Sequence, residues 1–161
     1  VPPGDAAAEL ITLLTAREQS IAVAESLTGG MLAAALTDIP GASAVFRGGV
    51  VAYATELKAV LLGVDRGLLI AHGAVSSEVA AAMAEGVRAR LGAAVGVATT
   101  GVAGPDPAEG KPAGTVYIAA SAGGKTQVRR LALSGSRAAI RAATVREALG
   151  LVLAFEREET R

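Results

Sequence analysis

The 161-residue sequence has no cysteine, no tryptophan, two tyrosines, two phenylalanines and one histidine, His72. Without cysteine there is neither a disulfide nor a thiol nucleophile. A single histidine argues against a His-rich metal site, so no metal or organic cofactor is expected. The 15 Lys and Arg residues balance 15 Asp and Glu. No basic excess is left to neutralise a phosphate backbone, and few aromatic rings are left to stack on bases, which argues against nucleic acid as a partner. No apolar run approaches the roughly 20 residues that span a bilayer. The first residues, Val1-Pro2-Pro3-Gly4-Asp5, lack the basic and apolar regions of a secretory leader. A cytoplasmic location with no membrane partner is expected. Any hydrolytic chemistry has to run on Ser, Thr, Lys, Tyr or carboxylates.

What is present is hydrophobic: 52% of the residues, enough for a substantial core in one domain over residues 1–161. Leucines at 10, 13 and 14 mark a helix over 5–18, with Asp5 at its start. A strand at 20–25 and a helix at 29–37 follow, the latter closed by Pro40 and Gly41. A strand at 48–53 leads to a short helix at 56–62 with Thr55 as its cap, and to another at 65–71 that ends at His72. The long helix 77–91 has Val79, Met83, Val87 and Leu91 every fourth residue, with Ser77 as its cap and Gly92 at its end. Residues 95–100 read as a buried strand, 101–114 as a Gly/Pro-rich loop, and 115–122 with 126–133 as a hairpin. A last helix is capped by Ser136. Helices alternating with apolar strands predict an α/β fold, a three-layer α/β/α sandwich on a mixed, mostly parallel sheet with a late antiparallel hairpin. The alanine-rich helices, such as 77–91, suit close packing between copies, and a homo-oligomer is expected.

Sites in open α/β sheets gather beyond the carboxyl ends of strands. Three loops share that address here, those after strands 20–25, 48–53 and 95–100. The first holds Ser26 at a strand-to-helix corner, followed by Thr28, Gly29 and Gly30, whose N–H groups can meet a phosphate or an oxyanion. The second holds Tyr53 and leads to Lys58 in a first helical turn, where the dipole disfavours a cation and partial burial would lower its pKa further. Such a lysine can serve as base to a serine. The same spacing also suits a solvated lysine and a half-buried strand tyrosine. The third loop has Thr100, with Gly101 and Gly104 allowing a ligand close to the backbone; a plain flexible connection fits as well. Arg137 and Arg141, four apart at a helix start, could flank an anion or form a solvated basic edge. Glu25 could orient the lysine or cap a helix, and Glu78 compensates a helix dipole.

These residues resemble one family closely. Ala24-Glu25-Ser26-Leu27-Thr28-Gly29-Gly30 is similar to the A-E-S-C-T-G-G signature of the CinA C-terminal-domain family, and residues 49–58 resemble its G-V-x-Y-S-N-E-x-K segment. Further matches lie at 62–64, 72–76, 100–105, 111–117 and 134–137, so the resemblance runs over roughly residues 5–155. It implies a nicotinamide-nucleotide amidohydrolase that converts nicotinamide mononucleotide and water to nicotinate mononucleotide and ammonia. By position it implies Ser26 as nucleophile, Lys58 as base and Tyr53 as hydrogen-bonding partner of that pair. Thr28, Gly29 and Gly30 would contact oxyanion or ribose phosphate. Thr100 and the loop from Gly101 through Pro105, Gly104 included, would line the substrate, and Arg137, with Arg141 as the weaker candidate, would meet its phosphate.

The chain departs from the family pattern at three places. Leu27 stands for cysteine, Thr55 for asparagine, and Ser136 for an aspartate that could orient Arg137. Many members also carry an N-terminal domain resembling molybdopterin-binding proteins, so a stand-alone enzyme and an excised domain both fit. Two other functions fit the same residues: a module that binds a nucleotide without turnover, and a regulatory domain suggested by the family's competence and DNA-damage associations.

Overall fold

The computed structural model describes residues 3–159. Residues 1–2 and 160–161, the extremes of the expected 1–161 unit, lie outside the described residues. Five strands form one sheet in the order β2-β1-β3-β4-β5. They are β1 (Ile21–Glu25), β2 (Phe46–Val51), β3 (Val95–Gly101), β4 (Thr115–Ala122) and β5 (Lys125–Ala132). β1 pairs in parallel with β2 and with β3, while β3–β4 and β4–β5 are antiparallel. The expected α/β architecture is therefore the observed one, with the hairpin turning at Gly123-Gly124.

The two faces of the sheet differ in bulk, and this sets how closely helices approach. Successive strand residues point to opposite faces. Ile21, Val23, Val95, Val97, Val116 and Ile118 face one way, into a core completed by α1 (Pro3–Arg17), α2 (Met31–Thr37) and α6 (Arg137–Glu158). Ala22, Ala24, Ala98 and Ala119 face the other way, against α5 (Ser77–Leu91), α3 (Thr55–Leu62) and α4 (Arg66–His72). Where these alanines and Gly96 line that face, α5 lies almost on the backbone: a Cβ on Gly96 would stand 2.2 Å from the Ala84 carbonyl oxygen. The bulkier face gains its stability from Leu10, Leu14, Leu149 and Val152, all fully buried, at roughly 1.5–3 kcal/mol per side chain.

Helix starts account for most differences from the sequence reading. Ser76, not Ser77, caps α5, its Oγ accepting from Val79 N. Ala54, not Thr55, precedes α3, and no side chain caps it. Ser136 caps α6 as expected. Asp5 lies inside the first turn of α1, where its charge complements the dipole. β2 ends at Val51, which leaves Tyr53 beyond the strand. Among the described residues no helix is long and apolar enough to cross a membrane.

Candidate active site

Register places three strand ends together. Glu25, the last residue of β1, pairs with Val51 on one side and Thr99 on the other, so Ser26, Ala52-Tyr53 and Thr100 emerge at one level. The chain then leaves β1 through α2 on one face of the sheet and leaves β2 through α3, α4 and α5 on the other. Connections that diverge from neighbouring strands open a crevice at the carboxyl end of β1. Ser26 stands in it.

The serine corner is fixed from three sides. Ser26 N donates to Thr99 O (3.1 Å), and Thr28 Oγ1 and Thr99 Oγ1 share a hydrogen bond of 2.8 Å. Glu25, fully buried, turns its oxygens away from the crevice to accept from Leu32 N (2.8 Å) and Ala33 N (3.0 Å). It therefore caps α2 and does not orient the lysine. Gly30 precedes α2 at φ 106°, a left-handed conformation that side chains rarely adopt. Arg141 reaches across from α6 and donates to Leu27 O (2.8 Å) and Thr28 O (3.3 Å).

Lys58 projects from α3 beneath this corner and is only 1% exposed. Its Nζ lies 3.0 Å from Ser26 Oγ, 2.8 Å from Ala52 O and 3.3 Å from Tyr53 O. Burial lowers its pKa from 10.5 to about 8, against the opposing pull of the Glu109 and Glu56 carboxylates. The solvated lysine that the spacing also allowed is thus not what folds. As an ammonium, Lys58 donates to all three oxygens. As a free amine, it can keep the two carbonyl bonds and turn its lone pair to the serine hydroxyl. That arrangement can take a proton from Oγ.

A cavity of about 420 Å³ opens over the pair. Tyr53, Thr100, Gly101, Gly104 and Arg137 line it with Ser26 and Lys58. Tyr53 is 59% exposed at the rim. Its hydroxyl accepts from Arg137 Nη2 (3.1 Å), and Arg137 Nη1 donates to Gly104 O (2.6 Å). These contacts orient the guanidinium where the family aspartate is missing. Thr100 Oγ1 is engaged by Ala74 O at 2.8 Å.

Thr28, Gly29, Gly30 and Arg141 are not on the cavity wall; they shape the corner from behind. Sequence reasoning overlooked Glu109, which lines the cavity, and the turn at Ala74-Val75 that it holds. The signal for it was an acid and a base, Glu109 and Lys111, around Gly110 in a Gly/Pro-rich loop whose one other charged residue is Asp106. Among the described residues no group of three or more His, Asp or Glu side chains is placed to hold a metal ion.

The sequence profile of the CinA C-terminal domain matches residues 4–155. A CinA-like protein of Frankia casuarinae is 59% identical over 143 residues, which is 89% of this chain and 33% of that protein. A CinA-like protein of Gemmatimonas aurantiaca is 48% identical over 156 residues, 96% of this chain and 36% of that one. The chain thus spans about a third of the length of these relatives. Among solved structures, competence damage-inducible protein A of Klebsiella pneumoniae superposes with a TM-score of 0.93 at 36% identity, covering 96% of both chains. A competence/damage inducible protein of Agrobacterium tumefaciens gives 0.91 at 39% identity, covering 94% of both. With the profile matched from the start of α1 almost to the end of α6, this chain belongs to the family of the CinA C-terminal domain.

Proposed function

We propose that the chain hydrolyses the carboxamide of a pyridine nucleotide, nicotinamide mononucleotide being the substrate that the family resemblance suggests. The reading is carried by one observation, the 3.0 Å contact of Ser26 Oγ with a buried lysine whose pKa is lowered to about 8. Ser26 Oγ attacks the carboxamide carbon while the Lys58 amine takes its proton. Lys58 then gives that proton to the departing nitrogen, the C–N bond breaks, and ammonia leaves a nicotinyl ester on the serine. Water attacks the ester, its proton passing through Lys58 to Ser26, and the nicotinate product is released. Leu27 lines the cavity, and its N–H, which finds no acceptor among the described residues, is the donor that this reading assigns to the developing oxyanion. Arg137, at the cavity rim, suits the phosphate, since a guanidinium meets phosphate oxygens in pairs.

Ammonia release from nicotinamide mononucleotide tests this directly. Ser26→Ala should lower kcat by about a thousandfold or more while leaving the circular dichroism spectrum and melting temperature unchanged. Undiminished ammonia release by that variant would remove Ser26 from the mechanism.

A further inference from the structure

Glu109 belongs to the loop between β3 and β4, and its carboxylate is committed at both oxygens. Oε1 accepts from Ala74 N and Oε2 from Val75 N, each at 2.9 Å. These amides belong to the turn that joins α4 to α5. Lys111 closes the clasp by donating to Val75 O, and its Nζ stands 3.8 Å from Glu109 Oε2. The turn is held in addition by Thr100 of β3 through Ala74 O. Glu109 therefore ties the loop to the opposite wall of the crevice while facing the cavity that Ser26 and Lys58 also line.

We propose that Glu109 is a positioning residue for the Ser26–Lys58 pair: it pins the loop across the cavity, and it sets a carboxylate in the same space that Lys58 lines. A carboxylate in a partly dry cavity favours the ammonium, and water screens it less than it screens an exposed charge. Burial of Lys58 pulls the other way, and Glu109 is the larger of the two carboxylate influences that oppose it. The remaining charged groups around the pair are Glu56 on α3, Asp106 and Lys111 in the loop, and Arg137 at the start of α6. His72 of α4 and Glu78 of α5 stand 3.7 Å apart beside the clasped turn, and Arg90 of α5 lies against Gly63. Glu25 of β1 is turned to the amides of α2.

The kinetic half of the inference rests on the hydrolytic reading; the titration half does not. The sequence has three lysines, Lys58, Lys111 and Lys125, so the Lys58 signal of protein labelled with 13C at lysine Cε can be assigned with Lys58→Met and Lys125→Arg. In Glu109→Gln the Lys58 midpoint should fall. The free-amine fraction at pH 7 should rise about twofold or more, which corresponds to about 0.3 pH unit. The acid limb of kcat/KM should move the same way, and KM should rise because an amide offers one acceptor oxygen in place of two. Glu109→Asp keeps the charge on a shorter arm: the midpoint should stay and KM should rise. An unmoved Lys58 midpoint in a folded Glu109→Gln variant, or an unmoved KM in Glu109→Asp, would overturn the inference. A wild-type protein that releases no ammonia but shows the lowered midpoint in Glu109→Gln would reject the proposed reaction and still support the electrostatic role of Glu109.

Discussion

Lys58 is the residue on which most of the proposed chemistry turns, and its pKa makes two separable predictions. The first is kinetic. If the free amine is the base, kcat/KM should fall tenfold per pH unit below about 8, as the ammonium takes over. A rate independent of pH between 6 and 8 would exclude that role. The second is thermodynamic. Below pH 8 Lys58 is charged in both the folded and the unfolded chain, and the cost of burying an ammonium stands in full. Between pH 8 and 10.5 the unfolded chain still binds the proton and the folded one does not, so stability rises with pH across that window. Urea unfolding at pH 7 and pH 10 should therefore show the wild type gaining on Lys58→Met, by on the order of 2 kcal/mol. Equal pH dependence of the two proteins would mean that Lys58 is not desolvated.

At the scale of elements, the reactive pair is held by contacts between backbones. A Cβ on Gly86 of α5 would lie 2.0 Å from the Leu62 carbonyl oxygen at the end of α3. Gly86→Ala should thus push α3 outward. Overpacking of this kind costs about 1–3 kcal/mol, which exceeds the helix-propensity gain of about 1 kcal/mol. Because Lys58 rides on α3, kcat should fall with stability, and urea unfolding together with ammonia kinetics checks both. Such backbone proximities are invisible in a sequence, which explains where its reading stopped. Strand and helix order and the three strand ends were legible, because period, turn residues and topology dictate them; the pairing of Ser26 with Lys58 came from the family resemblance, since spacing alone suits a solvated lysine as well. The cap of α3 was not legible, since Thr55 has a capping side chain but folds one residue inside the helix. Nor was the work of Arg141, whose spacing from Arg137 suggests a shared anion, although its guanidinium is spent on the carbonyls of Leu27 and Thr28. Glu109 was missed because its partners are main-chain amides more than 30 residues away, and no side-chain pattern announces those.

For the molecule as a whole, the lopsided sheet divides the labour. Bulky residues on one face anchor α1, α2 and α6, while the alanine-lined face admits α5 and, through it, the lysine-bearing α3. The candidate site collects at the carboxyl ends of β1, β2 and β3. The Gly123-Gly124 hairpin tip lies at the other end, since Ala122 pairs with Val95 at the start of β3, and Ile21 at the start of β1 pairs with Val95 as well. That tip is a natural handle. A short tag, a spectroscopic label or a surface tether inserted between Gly123 and Gly124 should leave turnover within about twofold of the parent, because solvent-facing turns accept insertions readily. Immobilised by that end, the molecule would present the opening of its candidate site outward to the surrounding solution.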